Sequence, residues 1–115
     1  MATQLQVRRE NDIQIIEIEG YIDANGGEHI LAECNRRIEE GGNRLVLNLE
    51  KSHLINSMGI MYLLEAADKA REAGGGMIFC GASPTIDKTF EIMGVLKVAS
   101  ICDSEEEAIR AIGDE

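Results

Sequence analysis

One short stretch, Leu54-Ile55-Asn56-Ser57-Met58-Gly59-Ile60, gathers residue types with chemical use. Asn56 is a good helix N-cap, because its side-chain oxygen can accept a backbone N–H two or three residues on. Ser57 then falls in the first helical turn with its hydroxyl outward. A helix start tolerates a phosphate, since its free N–H groups and dipole favour an anion. Met58, Met61 and Tyr62 lie off the apolar stripe of Ile60, Leu63 and Leu64. Soft apolar side chains exposed beside a hydroxyl make a protein-docking patch. Gly59 is expected to permit close approach, either to a partner or to the neighbouring strand ends. If it does neither, an alanine there would raise helix propensity. Asn56 and Ser57 also serve simply as helix-starting residues, and residue types alone leave both roles open.

The other reactive residue types suggest less. His29 and His53 are the two imidazoles, and neither has a partner at metal-ligand spacing. Both read as surface histidines. Cys34, Cys80 and Cys102 are odd in number, widely spaced and without a C-x-x-C pair. They read as reduced core thiols of a cytoplasmic protein rather than a disulfide frame or a zinc site. None has a helix N-terminus and a basic neighbour to lower its pKa, so no thiol nucleophile is expected. Gly74-Gly75-Gly76 follows a helix and precedes a strand, the reverse of the order in a dinucleotide site. The carboxylates fall mostly on solvated faces and first helical turns. A phosphoreceiver domain has a similar size and pattern. It needs an Asp ending a central strand and an acidic pair after the first, but the third strand here ends Leu47-Asn48-Leu49-Glu50. No catalytic residue, metal or cofactor is expected.

The elements that must position Asn56 and Ser57 can be read from periodicity. Gln4 to Arg8 alternates as a short strand, expected at an edge, with Leu5 and Val7 on one face. Ile13, Ile15, Ile16 and Ile18 give a second strand that ends at Gly20. Its parity shifts at Ile15-Ile16, so either both faces are buried or a bulge intervenes. Asn25 and Glu28 resemble a capping box for a helix carrying Ile30, Leu31, Cys34 and Ile38, stopped by Gly41-Gly42. Arg44 to Leu49 is the third strand. A loop over 50–56 leads into the helix of Ile60, Leu63, Leu64, Ala67 and Ala70. Met77 to Cys80 is a strand covered on both faces. Ser83-Pro84 opens a helix whose Ile86, Phe90 and Met93 face the core, ended by Gly94. Lys97 to Cys102 is a last strand, and Ser104 with Glu107 caps a final helix of Ala108, Ile109 and Ile112. The order β-β-α-β-α-β-α-β-α implies parallel pairs joined through helices, and hence a small α/β protein with a mixed sheet of about five strands and about four helices.

Size and charge narrow the possible partners. The chain has 115 residues, enough for one domain with one modest core, so residues 1–115 are expected to form a single domain. Eleven Lys and Arg against 21 Asp and Glu give a net charge of −10. Such a surface repels phosphate backbones and anionic lipid heads, so no nucleic-acid binding is expected. The longest apolar run, residues 60–64, is far short of a membrane span, so no membrane insertion is expected. The first residues lack an apolar secretion segment, which again points to the cytoplasm.

The residues resemble the STAS domain, in particular the stand-alone anti-sigma factor antagonists of bacteria. The resemblance runs through Gly20-Tyr21-Ile22-Asp23, Leu45-Val46-Leu47-Asn48-Leu49 and Ile55-Asn56-Ser57-Met58-Gly59-Ile60. It continues in Phe79-Cys80-Gly81, Met93-Gly94-Val95-Leu96 and the ending Asp103-Ser104-Glu105-Glu106-Glu107-Ala108. In that family the loop reads Asp-Ser-Ser-Gly or Asp-Ser-Thr-Gly, and the first hydroxyl residue is phosphorylated. That position is Ser57 here. Asn56 replaces the usual Asp, and Met58 replaces the second hydroxyl residue, which leaves a single acceptor.

The resemblance implies a partner switch without catalysis by this chain. The unphosphorylated protein binds an anti-sigma factor that is also a serine kinase of the GHKL type, and sigma factor is released. Phosphorylation of Ser57 ends that complex, and a PPM-type serine phosphatase resets it. Asp23, Asn56, Ser57, Met58, Gly59, Met61 and Tyr62 are the implied partner-binding residues. The alternative is a STAS interaction module of another assembly, a stressosome or a lipid-transport accessory subunit, without a phosphoswitch.

Overall fold

The computed structural model describes residues 3–113. Its elements follow the expected order: β1 (Gln4–Glu10), β2 (Ile13–Glu19), α1 (Ala24–Glu39), β3 (Arg44–Lys51), α2 (Ser57–Glu72), β4 (Gly76–Cys80), α3 (Pro84–Met93), β5 (Ser100–Cys102) and α4 (Glu105–Gly113). The sheet has the strands in sequence order, β1-β2-β3-β4-β5. β1 pairs antiparallel with β2, and β2 to β5 run parallel. A sheet that grows one strand at a time in one direction, with crossovers of one hand, puts every crossover helix on the same face. That is the arrangement here. Buried residues of α1, α2 and α3 pack with Ile16, Ile18, Leu45, Leu47, Leu49, Met77 and Phe79. The opposite face, with Ile13, Ile15, Val46, Ile78 and Cys80, is covered by Ala108 and Ile112 of α4.

The parity shift in β2 now has its cause. Ile13 and Ile15 face α4 while Ile16 and Ile18 face the three-helix layer. The register against β3 also shifts between Glu17 and Glu19, so burial of both faces and an irregularity occur together. Phe79 of β4 and Phe90 of α3 meet edge to face with ring centroids 5.0 Å apart, which ties α3 to the sheet.

Four expectations from the sequence need correction. α1 begins a residue before the Asn25-Glu28 box, and its cap is Asp23, whose Oδ1 accepts from Gly26 N–H at 2.9 Å. Asn25 instead lies inside the helix and is exposed. Met93 does not face the core but is 39% exposed, because it sits in the last turn of α3 beyond Phe90. The last strand is only Ser100–Cys102, since Val95–Lys97 forms a 3-10 turn after the left-handed Gly94 (φ 77°). In α2, Ala66 is fully buried while Leu64 is half-buried, so the core stripe lies slightly to one side of the expected one.

Candidate functional site

The site lies where β2 and β3 end and α1 and α2 begin. The two outgoing segments are held together by main-chain bonds. Gly20 N–H donates to Lys51 O (3.1 Å), Ile22 N–H to Leu54 O (3.0 Å), and Asn56 N–H to Ile22 O (3.1 Å). Ile22 and Ile55 form a parallel bridge. Ser52, fully buried, donates its hydroxyl to Ile18 O at 3.0 Å and anchors the bend after β3. His53 O accepts from Ser83 Oγ at 3.5 Å, so the α3 cap lies beside the same loop.

This frame sets the start of α2. Asn56 is extended (φ −102°, ψ 174°), and its Oδ1 accepts from Gly59 N–H at 2.8 Å. Asn56 is therefore the cap that its type suggests. Ser57 is the first residue of α2 and is exposed. Met58 and Met61 are exposed at 44% and 56%, and Tyr62 is half-buried with its hydroxyl 3.5 Å from Glu28 Oε2.

Gly59 faces inward rather than outward. A Cβ at this position would lie 2.3 Å from Ile22 O, a backbone atom that cannot swing aside. A Cβ on Gly27 of α1 would meet the Tyr62 side chain at 2.9 Å and Gly59 Cα at 3.1 Å. The first turns of α1 and α2 thus pack backbone to backbone, and glycine on both makes this possible. Of the two contacts weighed for Gly59, the one with a neighbouring strand end is present. Asp23 is half-buried as the α1 cap, one residue after Ile22. The expected residues are therefore assembled in one place, but Asp23 and Gly59 build the frame while Ser57, Met58 and Met61 form its exposed surface.

Two exposed residues at this end are not among the implied partner-binding residues. Tyr21 is 43% and Leu54 is 58% exposed. Each precedes a residue of the Ile22–Ile55 bridge. Alternation along extended chain was the signal that could have found them, because inward Ile22 and Ile55 turn their predecessors outward.

The remaining reactive groups are elsewhere or quiet. Burial pushes the Cys34 and Cys80 thiols up to about 12, and Cys102 is also raised by burial. Among the described residues, no group of three or more His, Cys, Asp or Glu is placed to hold a metal ion. No described helix is long and apolar enough to cross a membrane. A cleft of about 400 Å³ between Arg71, Leu96, Lys97 and Ser100 lies at the other end of β4 and contains none of the expected site residues.

Comparison with known proteins places this arrangement in a family. The model of the STAS domain matches residues 4–108. BtrV of Bordetella bronchiseptica, which carries the name of an anti-sigma factor antagonist, is 29% identical over 94 residues, which cover 82% of this chain and 81% of that protein. A structure from Thermotoga maritima, of a protein named as an anti-sigma factor antagonist, superposes with a TM-score of 0.87 at 13% identity, covering 94% of this chain and 93% of that one. The antagonist SpoIIAA in its unphosphorylated form gives 0.76 at 24% identity, covering 95% and 97%. The Bacillus SpoIIAA structure in the phosphorylated form gives 0.74 at 24% identity, covering 95% and 99%. With the family match spanning nearly the whole described chain and the mixed five-stranded sheet shared with these structures, the chain belongs to the STAS domain family.

Proposed function

We propose that this protein is an anti-sigma factor antagonist that works by binding and not by catalysis. In its unphosphorylated state it binds an anti-sigma factor that is also a GHKL-type serine kinase, and so frees a sigma factor. Phosphorylation of Ser57 ends the complex, and a PPM-type phosphatase restores it. The observation that carries this reading is the exposed Ser57 at the first position of α2, capped by Asn56 and flanked by exposed Met58 and Met61. The names of the relatives support the same class of partner.

A phosphate on Ser57 would add about −1.5 to −2 charges and three acceptor oxygens. At the start of α2 it sits at the favourable end of the dipole, worth about 0.3–1 kcal/mol to the folded chain. The domain has no reason to unfold. The penalty falls on the complex, where a hydrated dianion must lose water or face like charge. A release of tenfold requires only about 1.4 kcal/mol.

The test is a three-component titration. Adding unphosphorylated protein to a preformed complex of the cognate anti-sigma factor and its sigma factor should displace the sigma factor in proportion. Adding the phosphorylated protein should displace much less. Equal displacement by both forms would contradict the phosphoswitch, and displacement by neither would contradict the antagonist role.

A further inference from the structure

The end of the sheet opposite Ser57, where β2 and β3 begin, holds a polar atom without a partner. Gln14 of β2 is only 7% exposed, and its Oε1 has no hydrogen-bond donor among the described residues. A buried amide oxygen left unpaired is costly, so such an atom calls for a donor. Gln14 lines a recess of about 110 Å³ with Arg9, Asp12, Glu40, Gly41 and Gly42. The glycines keep it open. A Cβ on Gly42 would come within 2.8 Å of Gln14 Cγ and 3.1 Å of its Cδ, and one on left-handed Gly41 (φ 96°) would meet nothing within 4 Å. Two carboxylates complete the wall. Asp12 Oδ2 is 3.5 Å from Arg44 Nη1, while Glu40, among the described residues, has no ion-pair partner. Arg9, the one cation in this lining, donates its Nε to Asn11 O at 2.8 Å. Glu40 is also the C-cap of α1, so the recess sits at the negative end of that helix dipole.

We propose that this recess binds a small alkylammonium ion. A primary ammonium head has three N–H donors and no acceptor. The recess offers three matching acceptors: Gln14 Oε1 and the carboxylates of Asp12 and Glu40. The buried amide oxygen supplies direction. The carboxylates and the helix end supply charge, and the chain's net charge of −10 draws cations towards it. A divalent metal fits less well, because two carboxylates and one amide oxygen leave most of its oxygen shell to water. A quaternary ammonium carries the charge but has no N–H to give Gln14. The site is separate from Ser57 and does not depend on the partner proposed for it.

The experiment is an NMR titration of the isotope-labelled protein with butylammonium chloride, read at the Gln14 side-chain amide and the Gly41 and Gly42 backbone N–H signals. These signals should move together and saturate at millimolar ligand, while tetramethylammonium at the same concentration should move them little. Gln14→Met deletes the acceptor at similar volume. Read at Gly41 and Gly42, it should weaken binding at least about tenfold, as loss of a hydrogen bond to a charged group does. Its melting temperature should hold or rise, because the unpaired oxygen is gone. Glu40→Gln, at an exposed position, should weaken binding about threefold, and Arg9→Gln should tighten it about twofold. Should Gln14→Met fail to fold, the two cations on wild type and the Glu40→Gln titration still decide. Signals that ignore butylammonium, or that follow tetramethylammonium as far, would overturn the proposal and leave Gln14 bridged by water in a structural role. Tighter saturation of the same signals by calcium chloride would assign the recess to a metal and overturn it too.

Discussion

Asn56 and Ser57 divide the work of one helix start. Asn56 satisfies the Gly59 N–H and fixes the direction of α2, which leaves the Ser57 hydroxyl free at the surface. Removing the cap should therefore cost stability without touching the acceptor. Asn56→Ala should lower unfolding stability by about 1 kcal/mol in urea titrations, while Asn56→Asp, which keeps a capping oxygen, should remain near wild type. Gly59 invites a mistaken prediction. Helix propensity alone would have alanine gain up to about 1 kcal/mol there. The Ile22 carbonyl, 2.3 Å from the alanine methyl position, reverses the sign. Overpacking against backbone typically costs about 1–3 kcal/mol, so Gly59→Ala should unfold at lower denaturant than wild type. A more stable Gly59→Ala protein would mean that α2 is not packed this tightly against the Ile22 backbone.

At the scale of elements, the most legible features were those with a local cause. The caps Asn56 and Ser83 are each followed by the residues a helix start needs, and both were placed correctly from their own neighbourhoods. Asp23 was passed over because Asn25 and Glu28 made a better local pattern. What selects Asp23 is non-local: Ile22 is bonded to Leu54 and Asn56, so the chain must turn into α1 at the next residue. The outward Tyr21 and Leu54 depend on the same pairing and were hidden for the same reason. The helix start also predicts how α2 responds to charge. Ser57→Asp puts an acid in a first turn that contains none. The melting temperature should hold or rise slightly, by the equivalent of about 0.3–1 kcal/mol, while affinity for the anti-sigma factor falls. Loss of the fold in Ser57→Asp would remove the basis for a release that acts only at the interface.

At the scale of the molecule, the element order and the mixed sheet were legible because alternation, helical spacing and glycine stops agreed. The layer assignment came only with the sheet order, which places α1, α2 and α3 on one face and leaves α4 to cover the other. α4 is held there partly by charge. Glu105 accepts from Arg8 of β1 and, at 2.8 Å, from the buried Asn48 of β3. The Arg8 hydrogen bond, with help from Asn48 and against partial burial, holds the Glu105 carboxyl below its ordinary value of 4.5. A carboxyl lowered on folding contributes stability above its unfolded pKa and loses it as pH falls through the folded value. Wild type should therefore lose stability on acidification below about pH 4.5 more steeply than Glu105→Gln, and a pH series of urea midpoints would show the difference. Parallel curves would mean that Glu105 carries no such linkage. The central claim is that this acidic STAS protein is switched at one hydroxyl. It is tested most directly by incubating wild type and Ser57→Ala with the cognate kinase and ATP, and reading intact mass beside binding to that kinase. Wild type should gain one phosphate and lose affinity, while Ser57→Ala should gain none and stay bound. A Ser57→Ala protein that still takes up phosphate, or a phosphorylated wild type that binds undiminished, would contradict it.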